Sequence, residues 1–137
     1  MSFSESELAY LAGQPLGRLA TLRTDGTLQN SPVGFRHNPR TGTIDIAGHH
    51  MADSHKFRNV AATAQVAFVV DDVPSTNPWR VRCIEIRGTA EALETPADSA
   101  YGSGAPIIRI HPRRILSFGL DQPDIDAHAL TVDARNV

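Results

Sequence analysis

"GRLATLRTDGTLQNSPVGF", residues 17 to 35, decides the fold. From 16 to 24 the side chains alternate with the period of two expected of a strand. Leu16, Arg18, Ala20, Leu22 and Thr24 take one face, and Gly17, Leu19, Thr21 and Arg23 the other. Asp25-Gly26 is the strongest short hairpin signal a sequence carries. Residues 27–35 then return as a second, antiparallel strand. Pro32 has no N–H to give a ladder, so its place is an edge or a bulge.

The pattern continues outward in both directions. Upstream, residues 4–12 read as a short helix with a Ser4/Glu7 capping box, a face of Leu8, Leu11 and Ala12, and a stop at Gly13. Downstream, "NPRTG" (38–42) is a turn and 43–48 a third strand. A helix over about 53–63 interrupts the meander; Asp53 or Ser54 can cap it, and Phe57, Val60, Ala61 and Ala64 mark its apolar face. Residues 65–72 form a buried-type strand, 73–78 a loop, and 79–93 a long strand. On that strand Arg80, Arg82, Ile84 and Ile86 oppose Val81, Cys83, Glu85 and Arg87, and Gly88 marks a bend. Residues 94–104 are a polar connection with room for a short helix, and 105–120 the last strand pair or one bent strand. Residues 119–137 make an acidic tail, expected to be loosely held. About six strands joined by hairpins, without βαβ alternation, predict a mainly β chain with peripheral helices, closed as an antiparallel barrel.

The 137 residues fit a single domain spanning 1–137. With 41% hydrophobic and 20% charged residues and a net charge of −2, the composition is that of an ordinary globular protein. That charge supplies no field to draw nucleic acid or an acidic membrane surface. The lone Cys83 permits no internal disulfide, which suits a cytoplasmic setting. The N-terminus lacks the basic and apolar regions of a signal peptide, and no apolar run reaches the roughly 20 residues of a membrane helix.

No nucleophile elbow, phosphate loop or dinucleotide fingerprint is present. Cys83, between apolar neighbours, reads as a buried structural thiol. His49, His50 and His55 lack a cysteine partner and have only Asp53 as a nearby carboxylate, so no metal site is expected. They either decorate a turn or line a ligand pocket. The sharper feature is the helix start: Lys56 and Arg58 stand where the helix dipole disfavours cations. Either they are solvated, or an anion sits between them and the free helix N–H groups. Trp79 is a core anchor or a cover for a flat ring. Arg113 and Arg114 read as solvated or paired with the tail.

In this order the motifs resemble the pyridoxamine 5′-phosphate oxidase-like split β-barrel family, and within it the branch that uses the deazaflavin coenzyme F-420. The resemblance covers residues 8 to 118 and rests on "GRLATLRTDGTLQNSPVGF", "NPRTGTIDIAG", "SHKFRNVAATAQVAFVVDD" and "RCIEIRGTAEAL". It implies a six-stranded antiparallel split β-barrel of the FMN-binding type. It also implies a homodimer with two cofactor sites at the subunit interface.

Carried over by position, Lys56 matches the phosphate-binding lysine, and Arg58 and Asn59 the pair that follows it. His49, His50 and Met51 match the segment along the cofactor. Gln29, Asn30, Ser31, Pro32 and Val33 match the strand beside the ring. Ser54 stands where many relatives have arginine, with His55 beside it as a substitute, and Cys83 where the oxidases often have glutamine.

The implied function is hydride transfer from reduced F-420 to a small unsaturated or oxidised organic substrate. The cofactor would supply the chemistry, and no acid–base dyad is required. Arg36, Arg40 and Arg58 are the candidate track for an acidic cofactor tail. An FMN-binding oxidoreductase of the same fold is the alternative. A non-catalytic flavin, deazaflavin or tetrapyrrole carrier is the third.

Overall fold

The computed structural model describes residues 2–137. Among them eight strands and two α-helices follow in the order α1 (Glu5–Ala12), β1 (Gly17–Leu22), β2 (Leu28–Val33), β3 (Arg36–Asn38), β4 (Thr43–Ile46), α2 (His55–Thr63), β5 (Gln65–Thr76), β6 (Trp79–Leu93), β7 (Ile107–Phe118) and β8 (Asp133–Asn136). They form one antiparallel sheet in the order β2-β1-β5-β6-β7-β4-β3. Strand β7 is its pivot. It pairs with β6 along its length, with β4 at Ile108–Ile110 and with β8 at Arg114–Ser117. The two end strands, β2 and β3, do not pair with each other. The antiparallel split-barrel class is therefore as expected, but the sheet has eight strands rather than six and does not close. The added strands are three and four residues long, too short for a period of two to show in sequence.

One core lies inside the curl. Val33 of β2 and Ile44 of β4, near opposite ends of the sheet, belong to the same buried cluster as Leu19, Phe68, Ile84, Ile86 and Ile115. Phe35 packs edge-on against Phe68 with ring centroids 5.3 Å apart. A Cβ at Gly17 would fall on the Phe68 ring, so that position needs glycine. The β1–β2 turn follows its sequence signal: Gly26 has φ 88°, and the Asp25 carboxylate accepts the Thr27 N–H at 2.9 Å. Pro32 lies on edge strand β2. At the Gly88 bend, Arg87 faces Arg114 while Gly88 faces Pro112, which leaves Arg113 as the extra residue of a bulge. A Cβ at Gly88 would meet the His111 carbonyl.

Three expectations need correction. Residues 73–78 are not a loop: β5 runs on to Thr76, with its register slipping between Asp72 and Ser75, and only Asn77 and Pro78 separate it from β6. Residues 94–104 form no helix. Their Asp98 carboxylate and the Ala100 N–H are drawn onto the buried Asp45–Arg109 pair, whose contact is 3.0 Å. The end of the tail is not loose, because β8 is laced to β7.

Strand β8 also carries Arg135, which reaches Glu7 at 2.5 Å and the Ser2 carbonyl at 2.6 Å. Glu7 is fully buried on α1, beside Tyr10 and Leu11, whereas Ala12 of the expected apolar face is exposed. Burial alone would raise the Glu7 carboxyl. Hydrogen bonds from Arg135, Ser117 and the Ser4 N–H outweigh it and hold the group below the usual carboxylate range. Among the described residues no helix is long and apolar enough to cross a membrane.

Candidate functional site

The entry to α2 is an elbow. His50 adopts the left-handed conformation (φ 52°, ψ 40°), and buried Met51 pins a single 3-10 turn over Met51–Asp53. A side chain held in that region costs roughly 1 kcal/mol or more. Of the two expected caps, Ser54 performs the role: its hydroxyl accepts the Phe57 N–H at 3.3 Å and donates to the Met51 carbonyl at 2.6 Å. Phe57 and Val60 dock the helix on the core. Ala61, expected on that face, is exposed. Ala64 ends the helix with φ 61°, and its carbonyl accepts the Ala90 N–H at 2.8 Å.

This construction leaves Lys56 half-buried and Arg58 exposed on the first turn. The first intrahelical bond runs from the Arg58 N–H to the Ser54 carbonyl, so the N–H groups of His55 and Lys56 precede it and have no intrahelical partner. Among the described residues, neither Lys56 nor Arg58 forms an ion pair, whereas Arg18, Arg80, Arg82, Arg87, Arg109 and Arg135 all do. Lys56 is also the only lysine in the sequence. The exposed rings of His49 and His50 stand edge to face, 4.0 Å apart, and His55 is exposed beside Lys56.

One turn after Lys56, Asn59 faces the sheet. Its amide donates to the Thr21 hydroxyl and to the Gln29 side-chain carbonyl, both at 3.0 Å. The Gln29 amide in turn approaches the Ser31 hydroxyl at 3.4 Å. Thr63 adds a bond to the Leu22 carbonyl at 2.7 Å. The fold thus gathers Asn59, Gln29 and Ser31 at the seam between α2 and edge strand β2, with Lys56 three residues before Asn59 on the helix. Thr21 and Thr63 were missed by sequence reasoning. Thr21 alternates inward with Leu19, and a buried hydroxyl needs a partner, which was the available signal.

Other predicted residues lie elsewhere. Val33 and Met51 are buried in the core, while Asn30 and Pro32 are exposed. Trp79 is 53% exposed and sits opposite Thr76 at the far end of β5. Asn59 meets Thr21, whose neighbour on β5 is Val66. Ten residues of strand at about 3.3 Å each, a path of roughly 30 Å along β5, separate that point from Trp79, which stands at the opposite end of the β5–β6 ribbon. Arg36 and Arg40 do not join Lys56 either. They donate to the backbone carbonyls of Ala100, Asp98 and Ser99, and Arg36 stacks on Tyr101. Cys83 is half-buried and burial pushes its thiol up to about 11, so it is no nucleophile at neutral pH.

The outer face of β1 and β5 carries two adjoining hollows of about 270 Å³ each, with Ala20 and Ala67 lining both. A larger cavity of about 370 Å³ lies between Ser117–Gln122 and Thr131–Asp133, and no predicted site residue lines it. The α2 start carries an ammonium without an ion pair, a guanidinium and two N–H groups that precede the first intrahelical bond, donor types that suit a phosphate or carboxylate.

The model of the pyridoxamine 5′-phosphate oxidase family matches residues 3–136. A 5a,11a-dehydrotetracycline/5a,11a-dehydrooxytetracycline reductase from Streptomyces rimosus is 48% identical over 122 residues, covering 88% of this chain and 86% of the relative. Among solved structures, an F-420 reductase is 25% identical with a TM-score of 0.58, over 77% of this chain and 93% of its own. An FAD-binding protein from Mycobacterium smegmatis is 22% identical with a TM-score of 0.62, over 84% and 93%. With nearly the whole chain matched by the family model and by the Streptomyces relative, this protein belongs to the pyridoxamine 5′-phosphate oxidase family.

Proposed function

We propose that this protein is an oxidoreductase that holds coenzyme F-420 by its phosphate at the start of α2 and reduces a conjugated carbon–carbon double bond in a polycyclic substrate of the dehydrotetracycline kind. The observation that carries the reading is the unpaired Lys56 at a helix start, backed by two N–H groups without an intrahelical partner. The residues fit such a group, since a phosphate there relieves the charge conflict with the helix dipole. The substrate class is supported by the reductase name of the relative at 48% identity, and the deazaflavin by the F-420 reductase likeness.

When bound, the deazaflavin would supply a hydride to the electron-poor carbon, and solvent would supply the proton that completes the reduction. The chain's own share is to bind and orient. Lys56 and Arg58 neutralise the phosphate, Gln29 and Ser31 line the seam beside it, and the His49–His50 elbow borders it. A second copy of the chain completes the site. Trp79, a path of roughly 30 Å away along β5, would reach a cofactor at Lys56 from a partner. The outer sheet face, with small Ala20 and Ala67 and an exposed Leu28, is the surface we assign to that homodimer. A single cysteine and no intrachain disulfide accord with the cytoplasm.

FMN is the second reading, and one observation favours it. With Arg36 and Arg40 committed to backbone carbonyls, one chain presents Lys56 and Arg58 as free cations at the site, enough for a single terminal phosphate.

Fluorescence titration with F-420 and with FMN separates the readings, followed by turnover of 5a,11a-dehydrotetracycline with the reduced form of whichever binds. F-420 binding with turnover is the expected result. FMN binding alone selects the second reading. Binding without turnover of this substrate removes the reductase assignment, and binding of neither removes both cofactors.

A further inference from the structure

We propose that Asn59 is a positioning residue that sets the spacing between the anion subsite at Lys56 and the ring-side residues Gln29 and Ser31; this rests on the cofactor reading above. Both hydrogens of the Asn59 amide are used, on Thr21 and on Gln29, at 3.0 Å each. The amide is therefore turned into the seam and is not a free donor toward a ligand, although Asn59 lies one turn from Lys56 on the same helix. Its acceptors differ in kind. Thr21 is buried on β1 at 1% exposure and anchors the bridge, whereas Gln29 is half-buried on edge strand β2 and carries it on to Ser31 at 3.4 Å.

An edge strand has neighbours on one side only, and β2 is paired with β1 alone. Within the described residues Asn59 is the helix side chain that ties the β2 side chains to α2; Thr63 binds only β1, through the Leu22 carbonyl. The bridge also sets polarity. With its carbonyl oxygen on Asn59, the Gln29 amide turns its N–H side toward Ser31 and the seam, so this part of the site offers hydrogen-bond donors to an acceptor on the ligand's ring. Without Asn59 the Gln29 amide can rotate and present its carbonyl instead.

The test is a double-mutant cycle on the full chain, with FMN and F-420 each titrated by fluorescence into wild type, Asn59→Ala, Gln29→Ala and the double variant. Asn59→Ala is expected to weaken the cofactor that binds by about tenfold, the scale of one hydrogen bond. The double variant is expected to lie within about twofold of Gln29→Ala alone, because Asn59 acts through Gln29. The anisotropy of the bound cofactor should fall in Asn59→Ala as the ring loosens.

Losses that multiply in the double variant overturn the proposal, since Asn59 would then act independently of Gln29. So does a lowered melting temperature with unchanged affinity and anisotropy, the mark of a purely structural bond. If Asn59→Ala fails to fold, Asn59→Asp takes its place: it keeps the size, forces the Gln29 amide to turn, and should give the same loss and the same non-additivity. Lys56→Ala run in parallel keeps the two ideas apart. If Lys56→Ala loses binding while the cycle is additive, only the role of Asn59 falls. If Lys56→Ala binds as wild type does, the cofactor reading falls and the proposal with it.

Discussion

Replacing Lys56 by alanine should move stability and binding in opposite directions. In the cofactor-free protein the lysine is the second residue of α2, where the dipole opposes it by about 0.3 to 1 kcal/mol. Alanine is also a slightly better helix former. Against this, Lys56 is half-buried, and removing its methylene stem gives back a few tenths of a kcal/mol. No ion pair is lost, because among the described residues Lys56 has none. The net is a gain of roughly 0.5 kcal/mol, or about 1 to 3 °C in melting temperature for a domain of this size. With cofactor present the sign reverses. Loss of a charged hydrogen bond to phosphate costs about 1.5 to 3 kcal/mol, which is a roughly 10- to 150-fold weaker dissociation constant. Thermal melts with and without cofactor, together with a fluorescence titration, read both halves. A cofactor-free variant that melts several degrees lower would show that Lys56 supports the fold, and unchanged affinity would show that no phosphate sits there. Either result refutes the reasoning.

Two further predictions concern the acids. Glu7→Gln removes the charge that holds Arg135 and β8 on the sheet. Its cost is about 2 to 3 kcal/mol in urea unfolding, less than the 3 to 5 of a wholly buried pair because the Arg135 side chain keeps 29% exposure. A cost near zero would mean that β8 is held by its ladder alone. Stability should also fall on acidification. Four carboxyls lie below their ordinary values: Glu7 and Asp45 through hydrogen bonds that outweigh burial, Asp72 chiefly through Arg82, and the exposed Asp25 through hydrogen bonds from Thr27. The unfolded chain binds protons on these groups first, at about pH 4. Their stabilisation is therefore complete above that range and is lost as pH falls through the lower folded values. A melting temperature that stays flat from pH 5 to pH 3 would contradict the pairings.

The parts of this protein that were legible in sequence are those written in local chemistry. The Asp25-Gly26 turn, the Ser4 and Ser54 caps, the Gly88 bulge and the inward alternation of β1 each depend on a few neighbouring residues, and each appears where its residues stand. What was hidden depends on contacts distant in sequence. Strand β8 looks like an acidic tail until Arg135 finds Glu7, 128 residues away. The loop 94–104 owes its shape to Asp45 and Arg109, neither of which lies in it. Trp79 looked eligible for the site because sequence spacing says nothing about how far the start of the 15-residue β6 lies from the start of α2. Arg36 and Arg40 looked free for the same reason, since the carbonyls they meet lie about sixty residues downstream.

Those commitments bear directly on the choice of cofactor. F-420 extends beyond its phosphate into an acidic tail, so it needs more cations than Lys56 and Arg58. Within one chain Arg36 and Arg40 donate to the backbone carbonyls of residues 98–100 instead. At the opposite end of β5 stand an exposed Trp79 and Arg80, whose guanidinium donates to the Trp79 carbonyl at 2.9 Å and pairs with Asp124 at 3.9 Å. The homodimer and the F-420 assignment we propose therefore depend on each other: a ring cover and further cations for an acidic tail at Lys56 would have to come from a second copy of the chain.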